Sequence, residues 1–197
     1  MRIVLTGSES TGKTTLADAL AEHYDAELVP EFVREFAARK GAPIAFGDHG
    51  AIARGQMALE DEHAARARAM ILQDTDLLST VVYCAHYFGR CPPWIEEAAA
   101  ARRPDLYLLC DIDIPWVGDG LRDRQHAREE IQGVFRTALR ASAVPVVVVH
   151  GTGKERLRRA VAAIDAMRSR PIDTEPPQHA TEYDANWRKQ NDGRRSE

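Results

Sequence analysis

Residues 7–14 read GSESTGKT, and this octapeptide decides the fold. It fits G-x-x-x-x-G-K-[ST], in which glycines let backbone N–H groups turn inward around phosphate oxygens and the positive end of a following helix adds to the attraction. The motif needs a strand before it and a helix after it. Arg2–Thr6 (RIVLT) is a short apolar strand, and from Lys13 to about His23 the residues Leu16, Ala19 and Leu20 make one apolar helical face. On this reading Gly7, Ser8, Glu9, Ser10, Thr11, Gly12, Lys13, Thr14 and Thr15 hold ATP. Lys13 would reach the β- and γ-phosphates, and the Thr14 hydroxyl would bind Mg²⁺. The competing reading is a Gly-rich turn of structural value only.

Working outward, Ala26–Val29 reads as a second strand ending at Pro30, followed by a Phe-rich helix stopped by Gly41 and Pro43. Asp48 is placed to cap a long helix to about Arg66. Ala69–Gln73 is the third strand and delivers Asp74-Thr75-Asp76 at its C-terminal end. Leu77–Phe88 reads as a helix, and Pro92 and Pro93 start another. Asp105–Cys110 is the fourth strand. Val144–Val149 is the fifth, its β-branched run fitting a strand covered on both faces. A last helix runs from about Lys154 to Met167. Alternating strands and helices predict a five-stranded parallel sheet flanked by helices, with ligands beyond the C-terminal strand ends. From Ser169 the chain is Pro-rich and charged. Residues 1–168 are therefore expected to be the folded domain, and 169–197 a flexible tail.

Composition excludes other classes. With 197 residues, 44% hydrophobic and 28% charged, the chain is expected to be one globular domain. A formal charge of -4 gives no electrostatic ground for nucleic-acid binding. No apolar run approaches the roughly 20 residues of a membrane span. The N-terminus enters a strand directly, so no signal peptide is expected. Three cysteines without C-x-x-C predict reduced thiols and a cytoplasmic protein, and the seven histidines show no metal-ligand spacing. Oligomeric state is not legible.

Three further segments carry chemistry. Asp74 and Asp76 either offer hard oxygen to Mg²⁺ or cap the helix that begins at Leu77. Residues 116–124 (WVGDGLRDR) are glycine-rich and read as a lid, in which Arg122 and Arg124, with Arg128 nearby, would neutralise charge on a transferring phosphoryl group. A solvated loop of Arg–Asp pairs is the alternative. Trp116 at its root is either core filler or an aromatic plate for a flat ligand. In EFVREF (Glu31–Phe36) a carboxylate would accept the proton of a substrate hydroxyl or bind ribose hydroxyls, and Arg34 would meet a carboxylate or phosphate. Equally, Phe32 and Phe36 would pack inward, leaving Glu31, Arg34 and Glu35 as a salt-bridged outer face.

In that order and at these separations, GSESTGKTTL, PEFVREF, LQDTDLLST, YCAHYFG and PWVGDGLRD resemble the ribosylnicotinamide kinase domain of NadR-type NAD-salvage proteins over about residues 1–167. The resemblance implies a nucleoside-kinase-like P-loop fold with a lid, transferring the ATP γ-phosphate to the ribose 5′-hydroxyl of nicotinamide riboside. Gly7, Gly12, Lys13 and Thr14 would bind ATP and Mg²⁺. Glu31, Arg34, Asp74 and Asp76 would line the nucleoside and metal side, and Trp116 and Arg122 would belong to the lid. Asp74, also a candidate metal ligand, is the first choice for activating the hydroxyl, and Glu31 the second. Pro30 stands where the family can carry an aromatic, removing one expected wall of the nucleoside pocket. The adenylyltransferase and DNA-binding regions of multidomain relatives have no counterpart, so a stand-alone kinase is expected. The alternatives are a kinase of another nucleoside and a nucleotide-binding regulatory module without transfer activity.

Overall fold

A computed structural model describes residues 1–116 and 127–169. Five strands form one parallel sheet: β1 (Arg2–Thr6), β2 (Glu27–Val29), β3 (Ile71–Asp74), β4 (Leu106–Cys110) and β5 (Val146–Val149). Their spatial order is β2-β3-β1-β4-β5, which sets β1 at the centre. Leu5 lies beside Asp74 of β3, and Thr6 lies beside Leu109 of β4. The loop after β1 is thereby brought next to the end of β3, although about 60 residues separate them in sequence.

The helices are α1 (Lys13–Tyr24), α2 (Phe32–Lys40), α3 (His49–Arg66), α4 (Leu77–Phe88), α5 (Pro93–Ala101), α6 (Arg128–Ala141) and α7 (Gly153–Arg168), with a 3-10 turn at Phe46–Asp48. Side chains alternate across each strand, so β1 sends Ile3 and Leu5 to one face and Val4 to the other. Ile3, Leu5, Leu106 and Leu108 pack with Leu16 and Leu20 of α1 and Ile164 of α7. Val4, Tyr107 and Leu109 pack with Val82 of α4 and Ile131, Phe135 and Leu139 of α6. A third cluster, Ala53, Leu77, Val81 and Ile95, ties α3, α4 and α5 together.

Several expectations need correction. The buried face of α1 is Leu16, Ala17 and Leu20, with Ala19 only half-buried. Asp48 does not cap α3 with its side chain: its carboxylate turns back to accept from the Ala45 N–H at 2.7 Å and to pair with Lys40. The valine run of β5 packs on both faces of the sheet, Val147 and Val149 with one cluster and Val146 and Val148 with the other, although β5 is an edge strand and only Val149 is fully buried. Helix α6 fills a stretch to which no element is assigned above. Its signal is the spacing of Ile131, Phe135 and Leu139, one apolar residue every four. Of the tail expected over 169–197, Ser169 instead ends α7, donating to the Asp165 carbonyl, and residues 170–197 lie outside the described residues. Among the described residues, no helix is long and apolar enough to cross a membrane.

Candidate active site

The loop between β1 and α1 makes a tight cup. Gly7 has φ 129°, and a Cβ there would sit 2.8 Å from the Cys110 carbonyl oxygen. Gly12 has φ 71°, with the Ile114 side chain 2.9 Å from where its Cβ would be. Both positions therefore demand glycine, on backbone conformation and on space. Lys13 is the first residue of α1 and is buried, its Nζ donating to the carbonyls of Gly7 (3.0 Å) and Ser8 (2.8 Å). The Thr11 hydroxyl closes the loop onto the Ser8 carbonyl at 2.9 Å.

This cup is braced from α6, a support absent from the sequence reading. The buried Gln132 amide accepts from the Ser8 N–H at 2.8 Å and donates to the Cys110 carbonyl at 2.9 Å, clamping the loop to the end of β4. Arg128 donates to the carbonyls of Ser10 and Ile114, both at 2.9 Å. Arg128 is thus a brace under the loop rather than part of a cover over it. Paired buried hydrogen bonds of this kind are worth about 1 kcal/mol each, and leaving one partner unsatisfied costs more.

Asp74, at the end of β3, faces the start of α1. It is 3% exposed and accepts a hydrogen bond from the Thr14 hydroxyl at 2.6 Å through Oδ2. Burial raises its carboxyl pKa, the Thr14 bond opposes that, the Glu31 charge adds to it, and Lys13 and Arg34 pull the other way; the net direction is upward. Asp74 Oδ1 and the Ser8 hydroxyl are buried without a hydrogen-bond partner among the described residues. A loop that a Cβ would fill, a hydroxyl, a lysine and a carboxylate with an orphaned oxygen suit a triphosphate with its divalent cation. Mg²⁺ characteristically takes one or two protein carboxylates and substrate phosphates. Ser10, Glu9 and Thr15 complete the loop; Ser10 has φ 54°, a left-handed conformation uncommon outside glycine.

The other half of the site is a cleft of about 530 Å³ formed by α2, α3 and α4, a volume suited to a small organic ligand. Glu31 and Thr75 are among its polar lining residues, and Tyr83, Tyr87, His49 and Phe88 supply ring walls. Glu31 is buried and precedes α2, its Oε2 taking the Arg34 Nε–H at 2.8 Å. Thr75 adopts φ 83°, which costs a β-branched residue about 1–3 kcal/mol, and its hydroxyl donates to Ser79 at 2.7 Å. The Tyr87 hydroxyl donates to Glu9 of the phosphate loop at 3.1 Å, linking the wall of the cleft to the cup. Tyr83 and Tyr87 stack at 6.2 Å with 12° between their planes. Pro30 is exposed on the surface and does not line the cleft.

The structure thus brings together Gly7 to Thr14, Glu31, Arg34 and Asp74. It does not bring the rest. Asp76 is the N-cap of α4, accepting from the Ser79 N–H (3.3 Å) and the Tyr107 hydroxyl (2.7 Å), so both its oxygens serve the fold. Burial pushes its carboxyl up to about 6, against the help of those two donors. Glu35 points outward on α2 and pairs with Arg39 at 3.6 Å. Phe32 packs over Gly55 of α3, leaving no room there for a Cβ. EFVREF therefore divides, with Glu31 and Arg34 at the site and Glu35 on the solvated face. Trp116 is half-buried and does not line the cleft. Arg122, Arg124 and the rest of the expected lid lie outside the described residues.

Comparison with known proteins gives the family and the fold. A family model described as "AAA domain" matches residues 2–156. The trifunctional NAD biosynthesis/regulator protein NadR of Escherichia coli is 31% identical over 153 residues, spanning 75% of this chain and 37% of that protein. The protein of the same name from Salmonella typhimurium is 32% identical over 124 residues, 61% of this chain and 30% of its own. The chain spans about a third of the length of these curated relatives. Among solved structures, NadR in complex with NR superposes with a TM-score of 0.73 at 22% identity, covering 89% of this chain and 52% of that one. NadR with NAD and AMP-PNP gives 0.68 at 24% identity, over 88% and 51%. A thymidylate kinase from Candida albicans gives 0.64 at 15% identity, over 85% and 92%. At these identities the solved structures establish the P-loop kinase fold.

Proposed function

This chain belongs to the AAA domain family, and we propose on that premise that it is an ATP- and Mg²⁺-dependent kinase of a small nucleoside, with the ribose 5′-hydroxyl of nicotinamide riboside as the acceptor. The observation that carries the reading is one juxtaposition. The phosphate loop with Lys13 and Thr14 stands beside Asp74, and Asp74 lies near Glu31, which lines a cleft with aromatic walls. The two NadR structures, bound to NR and to an ATP analogue, support the choice of ligands.

In this scheme the loop and Lys13 hold the β- and γ-phosphates, with Arg122 and Arg124 as arginines for the transferring group. Thr14 and Asp74 would hold Mg²⁺, which neutralises and orients the phosphates when bound. Glu31, which lines the cleft, takes the hydroxyl proton, a role for which the sequence favours Asp74. The acceptor oxygen attacks the γ-phosphorus, the bond to the β–γ bridging oxygen breaks, and ADP leaves. Arg34 fixes the Glu31 carboxylate, and Tyr83 and Tyr87 present faces on which a flat base stacks. Catalysis then rests on positioning and charge neutralisation.

The test is incubation with ATP, Mg²⁺ and a panel of nucleosides, following ADP and phosphorylated product. The expected result is phosphorylated nicotinamide riboside at a kcat/KM above that of the other nucleosides. Preference for another nucleoside reassigns the acceptor. ATP binding with no phosphorylation of any acceptor overturns the kinase in favour of a nucleotide-sensing module.

A further inference from the structure

Ser10, Asp25, Thr75 and Ala143 are the described residues other than glycine with positive φ, and of these only Thr75 lines the cleft. It is also the one β-branched residue among them, for which φ 83° is a genuine outlier. Its neighbours impose the turn. Asp74 is held in β3 beside Leu5, and Asp76 is fixed as the N-cap of α4 by the Ser79 N–H and the Tyr107 hydroxyl. Between them the Thr75 N–H donates to the Leu5 carbonyl at 3.0 Å. Glycine would adopt this backbone without strain, so the side chain is what needs explaining.

A file of hydroxyls orients that side chain. The Thr75 hydroxyl donates to Ser79 Oγ at 2.7 Å, and Ser79 Oγ lies 3.3 Å from Thr6 Oγ1. A hydroxyl has one proton to give and two lone pairs to offer. With the Thr75 proton given to Ser79, the Ser79 proton goes to Thr6, and the bonds run one way, from a cleft residue to the residue before Gly7. Thr6 and Ser79 are both buried, so water does not compete for them. Thr75 Oγ1 is left with acceptor capacity only, and giving its own proton away strengthens it in that role.

We propose that Thr75 is a specificity residue whose Oγ1 accepts a hydrogen bond from the 2′- or 3′-hydroxyl of the acceptor sugar, so that the cleft selects ribosides over deoxyribosides. This rests on the kinase reading above and assigns a part of the acceptor to a named atom. Asp74, the residue before it, meets Thr14 of the phosphate loop at 2.6 Å, and Leu5, which holds its N–H, lies two residues before Gly7. Thr75 therefore stands next to the groups that hold the phosphates. With transfer to a 5′-hydroxyl, the part of the acceptor near those groups is the sugar. The 5′-hydroxyl gives up its proton, to Glu31 in this scheme, whereas Thr75 serves a hydroxyl that keeps its own.

Selection follows from what a missing hydroxyl leaves behind. Thr75 is 6% exposed, so a deoxyriboside that fills the cleft strands its oxygen away from water. A site built to bond a substrate hydroxyl rejects the analogue lacking it far more strongly than an apolar pocket rejects a missing methylene. A purely structural Thr75, stapling Ser79 at the start of α4, behaves differently. Its truncation would disturb the cleft for every acceptor alike.

The test compares nicotinamide riboside with its 2′-deoxy and 3′-deoxy forms on the full chain and on Thr75→Ser, Thr75→Ala and Thr75→Gly, reading kcat/KM and calorimetric Kd. The unaltered chain should favour the riboside over one of the deoxy forms by about ten-fold or more. Thr75→Ala should raise the riboside KM about ten-fold and that of the rejected deoxy form by less than about two-fold, with the ATP KM unchanged. The ratio then falls to near one. Thr75→Ser keeps the oxygen and should keep most of the ratio. Glycine relaxes the backbone where alanine does not, so Thr75→Gly should melt above Thr75→Ala while discriminating no better, which separates strain from hydroxyl. A ratio near one for both deoxy forms on the unaltered chain, or equal losses on riboside and deoxyriboside in Thr75→Ala, overturns the assignment. If another nucleoside proves to be the acceptor, its own deoxy forms replace these. If ribosides bind without being phosphorylated, the kinase reading fails, and the Kd ratios still decide this one.

Discussion

The two halves of the candidate site are built by different means. The donor side is eight consecutive residues whose geometry is largely backbone, with Gly7 and Gly12 in conformations and spaces that exclude a side chain. The acceptor side is assembled from Glu31, His49, Thr75, Tyr83 and Tyr87, carried by separate helices and strand ends. A backbone cup recognises charge common to every triphosphate, whereas side chains on separate helices can be exchanged one at a time. For the proposed kinase, the difference teaches that the reaction is anchored in the loop, and acceptor choice in the helices.

The largest break in that contrast should come from the loop. Lys13→Ala removes the only loop cation and should lower kcat/KM by about 10³-fold or more, read in the same ADP assay. Next comes the carboxylate at the join. Asp74→Asn keeps its shape but loses its charge, and should cut kcat by about 10²-fold with ATP affinity, measured calorimetrically, changed far less. Near-normal kcat would remove Asp74 from the metal side. Smaller still, Tyr83→Ala takes one ring from the cleft and should raise the acceptor KM about ten-fold while leaving the ATP KM unchanged. An equal rise in both would merge the two halves and end the contrast.

The smallest effect lies in the support beneath both halves. Glu60 of α3 is buried, pairs with Arg102 at 3.3 Å, and has its carboxyl pushed up from 4.5 to about 7 by burial and then by the charge of Asp76. Between those values the folded protein keeps a proton that the unfolded chain has released. Stability from this group is therefore full below about 4.5 and is lost as pH rises through about 7. Glu60→Gln should flatten the decline in urea-unfolding stability between pH 5 and 7.5, an effect on the order of 1–3 kcal/mol. An unchanged pH slope would remove Glu60 from this account.

Much of the fold was legible because it rests on local signals. RIVLT before GSESTGKT, Gly41 closing α2 and the prolines opening α5 each act within a few residues. What stayed hidden was contact over distance. The sequence does not distinguish Asp74 from Asp76, two carboxylates two residues apart. In the fold one meets Thr14 and the other meets Ser79 and Tyr107. Gln132 and Arg128 carry no motif, yet they fix the loop from a helix more than 110 residues away.

The sequence by itself determined a parallel sheet, a phosphate loop between its first strand and first helix, and the carboxylates available to it. Strand period, glycine conformation and helix caps are properties of neighbours, so they can be read along the chain. Only the tertiary structure decided that Glu31 faces the cleft while Glu35 faces water, and that Asp76 belongs to the scaffold. Each depends on which side of a packed helix a residue falls and on what burial does to its charge. Neither is fixed until the layers are in place.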